Sequence, residues 1–226
     1  MQRNKIILGT ANFGNKYGIS GGLSREECFD LLDAAWDLGV QWLDTARSYG
    51  DAESIIGQYI RQHSNRWNVI SKGDTLEDRK ASEDALQMCP AMYWLHHRRT
   101  FALPIYFSGI SVYNLDELTG VAEAGYKYVC FPLNLVDIRF LPTLSGPHMY
   151  IVRSVFLQGQ AWQAPPIFGI PFAHLCWNFV THYPCVNKVV IGADSIKQLE
   201  TTLTIPEYEV NYSDIGKRGR MWIKSV

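Results

Sequence analysis

Trp42-Leu43-Asp44-Thr45-Ala46-Arg47-Ser48-Tyr49-Gly50, Asn68-Val69-Ile70-Ser71-Lys72 and Tyr93-Trp94-Leu95-His96 follow one another in the chain, and each apolar run leads into residues able to hold or move a proton. In a closed parallel barrel, consecutive strand C-termini converge on one face, and chemistry is built there. Strand alternation would turn Asp44 to the same side as Trp42, Lys72 with Ile70 and His96 with Trp94, while His97 faces the other way. Any one of these side chains could merely satisfy a buried backbone group. An acid, a phenol, an amine and an imidazole brought together point instead to proton transfer.

Outward from these runs, strand-like and helical patterns alternate. Lys5 to Gly9 reads as a first strand. Ser24 opens a helix as N-cap, with Glu27 in the capping-box position and Phe29, Leu32, Ala35 and Trp36 at helical spacing, and Gly39 ends it. Val40 to Leu43 gives the second strand and Ala52 to Gln62 the second helix. Trp67 to Ser71, Leu76 to Met88 and Met92 to Leu95 read as strand, helix, strand. Ile105 to Ile110 is the fifth strand, and Leu115 to Ala124 its helix, with Asn114 as cap. Tyr128 to Phe131, Tyr150 to Val152 and Lys188 to Ile191 complete eight strands, and Pro171 to Thr181 and Ser195 to Leu203 are the last helices. Eight strands joined by crossovers predict an α/β chain folded as a compact (β/α)8 TIM barrel, one domain over residues 1–226 with a tail from Pro206. The crossovers Arg98 to Pro104 and Ile138 to Pro147 are too short for ordinary helices, so one or more crossover helices should be shortened or missing.

The bulk numbers bound the function. The chain has 226 residues, 21 basic against 22 acidic side chains and a net charge of −1, which gives no reason to expect nucleic acid or an acidic membrane as partner. No apolar run approaches the length of a membrane span, and Met1 to Lys5 lead straight into a strand-like run, so neither a signal peptide nor a membrane span is expected. Five scattered cysteines without a C-x-x-C pair fit core packing in a reducing, cytoplasmic setting. His148, His174 and His182 have no metal-ligand spacing, so no metal is expected.

The ordered motifs resemble the aldo-keto reductase family. Leu8-Gly9-Thr10-Ala11-Asn12-Phe13-Gly14 is similar to its first-strand motif, and Asp44 to Gly50 with Glu53 and Gly57 to its D-T-A-x-x-Y-G…E…G signature. Lys72 and His96 match its strand-three lysine and strand-four histidine. Gly109 to Asn114, Phe131-Pro132-Leu133-Asn134, Arg153 to Gly159 and Val190 to Ser195 with Gln198 resemble its segments on strands five to eight. The resemblance implies reduction of an aldehyde or ketone with NADPH or NADH. Tyr49 would donate the proton, Lys72 would lower the phenol's pKa, Asp44 would hold Lys72, and His96 would orient the small carbonyl substrate. It also implies cofactor contacts from Thr10, Ala11, Ser111, Asn134, Arg153, Ser154, Phe156, Leu157, Gly159, Gly192, Asp194, Ser195 and Gln198. Arg153 would lie against the nicotinamide ring, and the helix start after Gly192 near phosphate.

Several positions depart from that pattern. Cys130 and Val112 stand where many members carry glutamine and asparagine. The strand-eight loop offers Asp194 and no arginine, with Lys197 the only nearby cation, which leaves NADH and NADPH both open. Shortened crossovers leave barrel wall to be covered by the tail or by a second copy in a homo-oligomer. Two rival readings therefore stand beside the reductase. One is a nicotinamide-binding barrel without efficient turnover, acting as a sensor or assembly subunit. The other is a hydrolase using Asp44 and Glu53 as paired carboxylates, which leaves Lys72 without a role.

Overall fold

The computed structural model describes residues 3–19, 21–97, 106–144 and 146–210. Its strands are β1 (Ile6–Gly9), β2 (Trp42–Asp44), β3 (Asn68–Gly73), β4 (Met92–Leu95), β5 (Gly109–Ser111), β6 (Tyr128–Pro132), β7 (Met149–Arg153) and β8 (Val186–Ile191). They close in sequence order into one barrel, every pair parallel, β1 meeting β8. This is the (β/α)8 architecture that the strand pattern predicts. Among the described residues, no helix is long and apolar enough to cross a membrane.

Strand alternation sorts the side chains as expected. Ile7, Ile70, Trp94, Cys130 and Ile151 pack inside the barrel with Trp42, Met92, Tyr128 and Val190. The alternate residues, such as Leu8, Leu43, Val69, Leu95 and Val152, face outward into the larger cluster shared with the helices. Asp44, Lys72, Ser111 and Arg153 therefore continue the inward rows at the strands' C-terminal ends.

The helices are α1 (Arg25–Asp37), α2 (Ala52–Gln62), α3 (Leu76–Leu86), α4 (Gln160–Gln163), α5 (Phe172–His182) and α6 (Ile196–Leu203). Ser24 and Glu27 form the expected capping box at α1, and Gly39 follows its end with φ 84°. Thr75 and Asp78 make a second box at α3, a signal the helix pattern alone did not single out. Gly57 is where α2 meets α3: a methyl group there would run into the backbone of Ala85 and Leu86. Gly57→Ala is expected to cost ~1–3 kcal/mol, because rigid backbone rather than a flexible side chain opposes the new atom. Chemical denaturation measures this, and an unchanged midpoint would mean that the two helices can move apart freely.

The fifth unit corrects the sequence reading. In place of a helix from Leu115 to Ala124 there is one 3-10 turn, Asp116–Leu118. Glu117 turns its carboxylate back to the amides of Tyr113 and Asn114, and Gly120 then takes φ 76°, which breaks helical continuity. The fifth strand is also shorter than read, Gly109–Ser111, with Ile105 outside the described residues. A second 3-10 turn, Leu141–Thr143, is the helical part described between β6 and β7. A groove lined by Leu118, Val121, Leu144 and Tyr150 opens where full crossover helices would lie. The crossover at residues 98–105 and the tail beyond Val210, with Tyr212 and Trp222, lie outside the described residues. The start of the tail packs on α5, where Asn178 binds the backbone of Pro206 and Tyr208.

Candidate active site

Asp44, Lys72 and His96 stand at the ends of β2, β3 and β4, buried to 4%, 1% and 4% exposure. Lys72 Nζ donates to Asp44 Oδ1 at 2.7 Å and to the Thr45 carbonyl at 2.7 Å. The ammonium also lies 5.1 Å from the centroid of the Tyr49 ring. Tyr49 meets His96 edge to face, with centroids 5.8 Å apart. The structure thus brings together all four residues singled out at the strand ends.

His96 is held on both sides. Its Nδ1 is 3.3 Å from Ser48 Oγ and its Nε2 is 3.2 Å from the Tyr113 hydroxyl. Burial is the main influence on its ionisation, joined by the charges of Lys72, His97 and Arg153, and together they push its pKa down to about 3. The imidazole is therefore neutral at working pH and presents one N–H. His97 does not turn to the opposite side as strand alternation suggested, because β4 ends at Leu95: its backbone amide donates to Asp74, and its exposed ring stacks on His96 and Tyr113.

The expected tuning of Tyr49 by Lys72 is not found. Burial, followed by Asp44, Tyr113 and Tyr17, holds the phenol well above its ordinary pKa, and Arg153 opposes them only in part. The reason lies in the ion pair: Asp44 offsets the lysine's positive field, while the low-dielectric surroundings penalise a phenolate directly. Tyr49 is accordingly a protonated phenol, suited to give a proton rather than to take one.

From Asp44 and Tyr49 a cleft runs across the barrel mouth to the loops after β7 and β8. Of the residues expected to hold a cofactor, Ala11, Arg153, Ser154, Phe156, Gly159, Gly192, Asp194 and Gln198 line it. Thr10, Ser111, Asn134, Leu157 and Ser195 are not among its walls. Thr10 is tied through its hydroxyl and its amide to the Asp44 carbonyl. Asn134 spends its side chain on the Ser154 carbonyl and the amides of Val136 and Asp137. Leu157 packs on the core, and Ser195 caps α6 by accepting from the Gln198 amide. Arg153 stacks its guanidinium 4.0 Å from the Tyr113 ring centroid and donates to the Val112 carbonyl at 3.0 Å.

Sequence reasoning missed Asn12, Tyr17, Gln158 and Trp162 in the cleft wall, and Tyr113 against His96. Asn12, Tyr113 and Gln158 lay inside the quoted motifs without a role, while Tyr17 falls in a loop and Trp162 on the one-turn α4, neither long enough to show a period. The loop after β1 folds over the loop after β7: the Ile19 amide donates to the Gln158 carbonyl at 3.3 Å. Asn15 anchors it by donating to the Tyr49 carbonyl at 2.5 Å. Glu53, the second carboxylate of the hydrolase reading, is 1% exposed and committed to Arg47 and Ser71. It is no partner for Asp44.

The cleft has features that suit a dinucleotide. Arg153, in the cleft wall, has its Nε buried with no hydrogen-bond partner among the described residues. Unpaired polar atoms are costly when buried and mark places where a ligand group completes the bonding. Ser154, Leu157 and Gln158 all have positive φ, 53° to 59°, a concentration of backbone strain typical of a ligand clamp. The N-terminus of α6 lies at the far end, where unpaired amides favour an anion.

Comparison with known proteins agrees with the fold and with the first part of the chain. The sequence profile of the aldo/keto reductase family matches residues 5–87, which include Asp44, Tyr49 and Lys72 but not His96. A norsolorinic acid reductase of Aspergillus flavus is 32% identical over 68 residues, covering 29% of this chain and 18% of that protein. An aryl-alcohol dehydrogenase [NADP(+)] of Phanerodontia chrysosporium is 36% identical over 70 residues, with the same coverages of 29% and 18%. The match therefore spans about a fifth of either relative. The holo form of an aldo-keto reductase from Bacillus halodurans superposes with a TM-score of 0.75 at 14% identity, covering 95% of this chain and 91% of that one. A glycerol dehydrogenase from Gluconobacter oxydans gives 0.71 at 15% identity, covering 97% and 90%. Residues 5–87 are thus similar in sequence to the aldo/keto reductase family, and the barrel as a whole is similar in fold to solved structures of aldo-keto reductases.

Proposed function

We propose that the chain is an oxidoreductase that reduces an aldehyde or ketone to an alcohol with NADPH or NADH, Tyr49 supplying the proton. The observation that carries this reading is the convergence of Tyr49, the Lys72–Asp44 pair and neutral His96 at one end of the cleft. A reduced nicotinamide, when bound, supplies the hydride. Arg153 would hold it at this end, with Ser154, Phe156 and Gly159 along its length.

The chain's own residues account for the rest of the chemistry. A carbonyl oxygen beside the Tyr49 and His96 rings would accept hydrogen bonds from the phenol and, on displacing the Ser48 or Tyr113 hydroxyl that meets it, from the one imidazole N–H. Charge that builds on that oxygen is quenched by the Tyr49 proton. The phenolate left behind would form close to the Lys72 ammonium, which stabilises it at that moment although it does not lower the resting pKa. The high resting pKa keeps the proton on Tyr49 and so favours the reductive direction. The free cysteines fit a cytoplasmic enzyme. Loss of reduced-nicotinamide absorbance on addition of a panel of aldehydes and ketones tests the reading. Tight cofactor binding with no turnover across the panel would favour the sensor reading instead.

His96 also has a consequence for stability. Its folded pKa of about 3 lies below the ordinary value of ~6.5, so between these values the unfolded chain binds a proton that the folded chain does not. Stability is thus unaffected by this group above pH 6.5 and falls as pH drops, by up to ~1.4 kcal/mol per unit. Urea unfolding at pH 7 and pH 5 should show the wild type losing about 2 kcal/mol more than His96→Gln. Equal losses in the two proteins would mean that His96 titrates normally in the fold.

A further inference from the structure

We infer that Asp194 makes the cleft select NADH over NADPH, an inference that rests on the nicotinamide-dependent function proposed above. The cleft is polarised. Its chemical end holds Asp44 and Tyr49, and its other end is formed by Gly192, Asp194 and Gln198 where β8 enters α6. A dinucleotide with its reacting ring beside Tyr49 must extend its adenosine half toward that second end.

What waits there is a fixed carboxylate. Asn12, only 4% exposed, donates from one amide nitrogen to the Ala193 carbonyl at 2.8 Å and to Asp194 Oδ1 at 2.9 Å. The Asp194 backbone amide is held in turn by Gln198 Oε1 at 2.6 Å. Asp194 therefore cannot swing away without breaking a nearly buried contact between the loops after β1 and β8. The charged residues of the cleft wall are Asp44, Arg153 and Asp194, and Arg153 is engaged at the chemical end by Tyr113 and Val112. Lys197, one residue into α6, is exposed and forms no part of the wall.

A carboxylate held this way can accept a hydrogen bond from a ribose hydroxyl. Against a 2′-phosphate it presents a like charge at short range, with no cation in the wall beside it. The same acidic-versus-basic choice separates NAD from NADP sites in dinucleotide folds of other architecture. The helix N-terminus adds attraction for any anion, but a pinned full negative charge just ahead of its N-cap, Ser195, outweighs a partial positive one.

The test is a binding titration of the intact chain by tryptophan fluorescence, with Trp162 in the cleft wall as an internal reporter. NADH and NADPH are compared directly, and adenosine 5′-diphosphate is compared with its 2′-phosphorylated counterpart. NADH is expected to bind at least ~10-fold more tightly, the gap narrowing as salt is raised. Asp194→Asn keeps an acceptor oxygen but removes the charge. It should raise NADPH affinity ~10-fold while NADH affinity changes less than ~3-fold. Equal wild-type affinities, or NADPH binding untouched by Asp194→Asn, would overturn the inference while leaving the proposed function standing. Binding of neither nicotinamide would overturn both.

Discussion

Tyr49→Phe is expected to lower kcat for carbonyl reduction by roughly 10²–10⁴-fold, the usual worth of a positioned general acid, while cofactor affinity stays within about twofold. The substitution removes a hydroxyl and keeps the ring, so the edge-to-face contact with His96 and the Lys72 contact with the ring face survive. Among the described residues, Tyr49 is the one phenol that touches both His96 and Lys72; Tyr113 reaches His96 from the far side and carries the Arg153 guanidinium on its face. If Tyr113 were the acid, Tyr49→Phe would retain most of its turnover and Tyr113→Phe would lose it. Stopped-flow single turnovers on both variants separate the two assignments, because they read the chemical step without product release. Retained single-turnover rates in Tyr49→Phe would remove Tyr49 as the proton donor.

The parts of this architecture that could be read in advance are those whose cause is local. The period-two rows that put Trp42 below Asp44, Ile70 below Lys72 and Trp94 below His96 are inescapable in a strand, and the inner cluster follows them. The Ser24–Glu27 box works within one helical turn and was visible for the same reason. The helix expected after Asn114 failed on equally local grounds that were under-weighted: Gly120 sits mid-pattern and takes a left-handed conformation. The rest depends on distance. Asn12 and Asp194 are 182 residues apart in the chain, and no motif spacing links them. Nor could the sequence say that Asp44, invoked to hold Lys72 charged, would also screen that charge from Tyr49. That cancellation depends on three side chains on two strands and a loop, and on how deeply they are buried.

Lys72→Met should be the most destabilising single change in the site, costing roughly 3–5 kcal/mol, the typical penalty for stranding one partner of a buried ion pair. Methionine has nearly the length and width of the lysine stem, so packing among the inner residues changes little and the loss isolates charge. Asp44 is 4% exposed, and its second oxygen already lacks a partner among the described residues. Without Lys72 the whole carboxylate is left uncompensated, and the Thr45 carbonyl loses its donor as well. Asp44→Asn in the same chain should recover most of that stability, because two neutral groups of similar shape remain. A double-mutant cycle read by urea denaturation gives the coupling directly. Activity should not recover with stability: the double variant would have no ammonium beside the nascent phenolate, so its turnover should stay as low as that of Lys72→Met. Recovery of both together would mean that the pair serves only the fold, and the protonic role of this barrel end would then rest on Tyr49 and His96 alone.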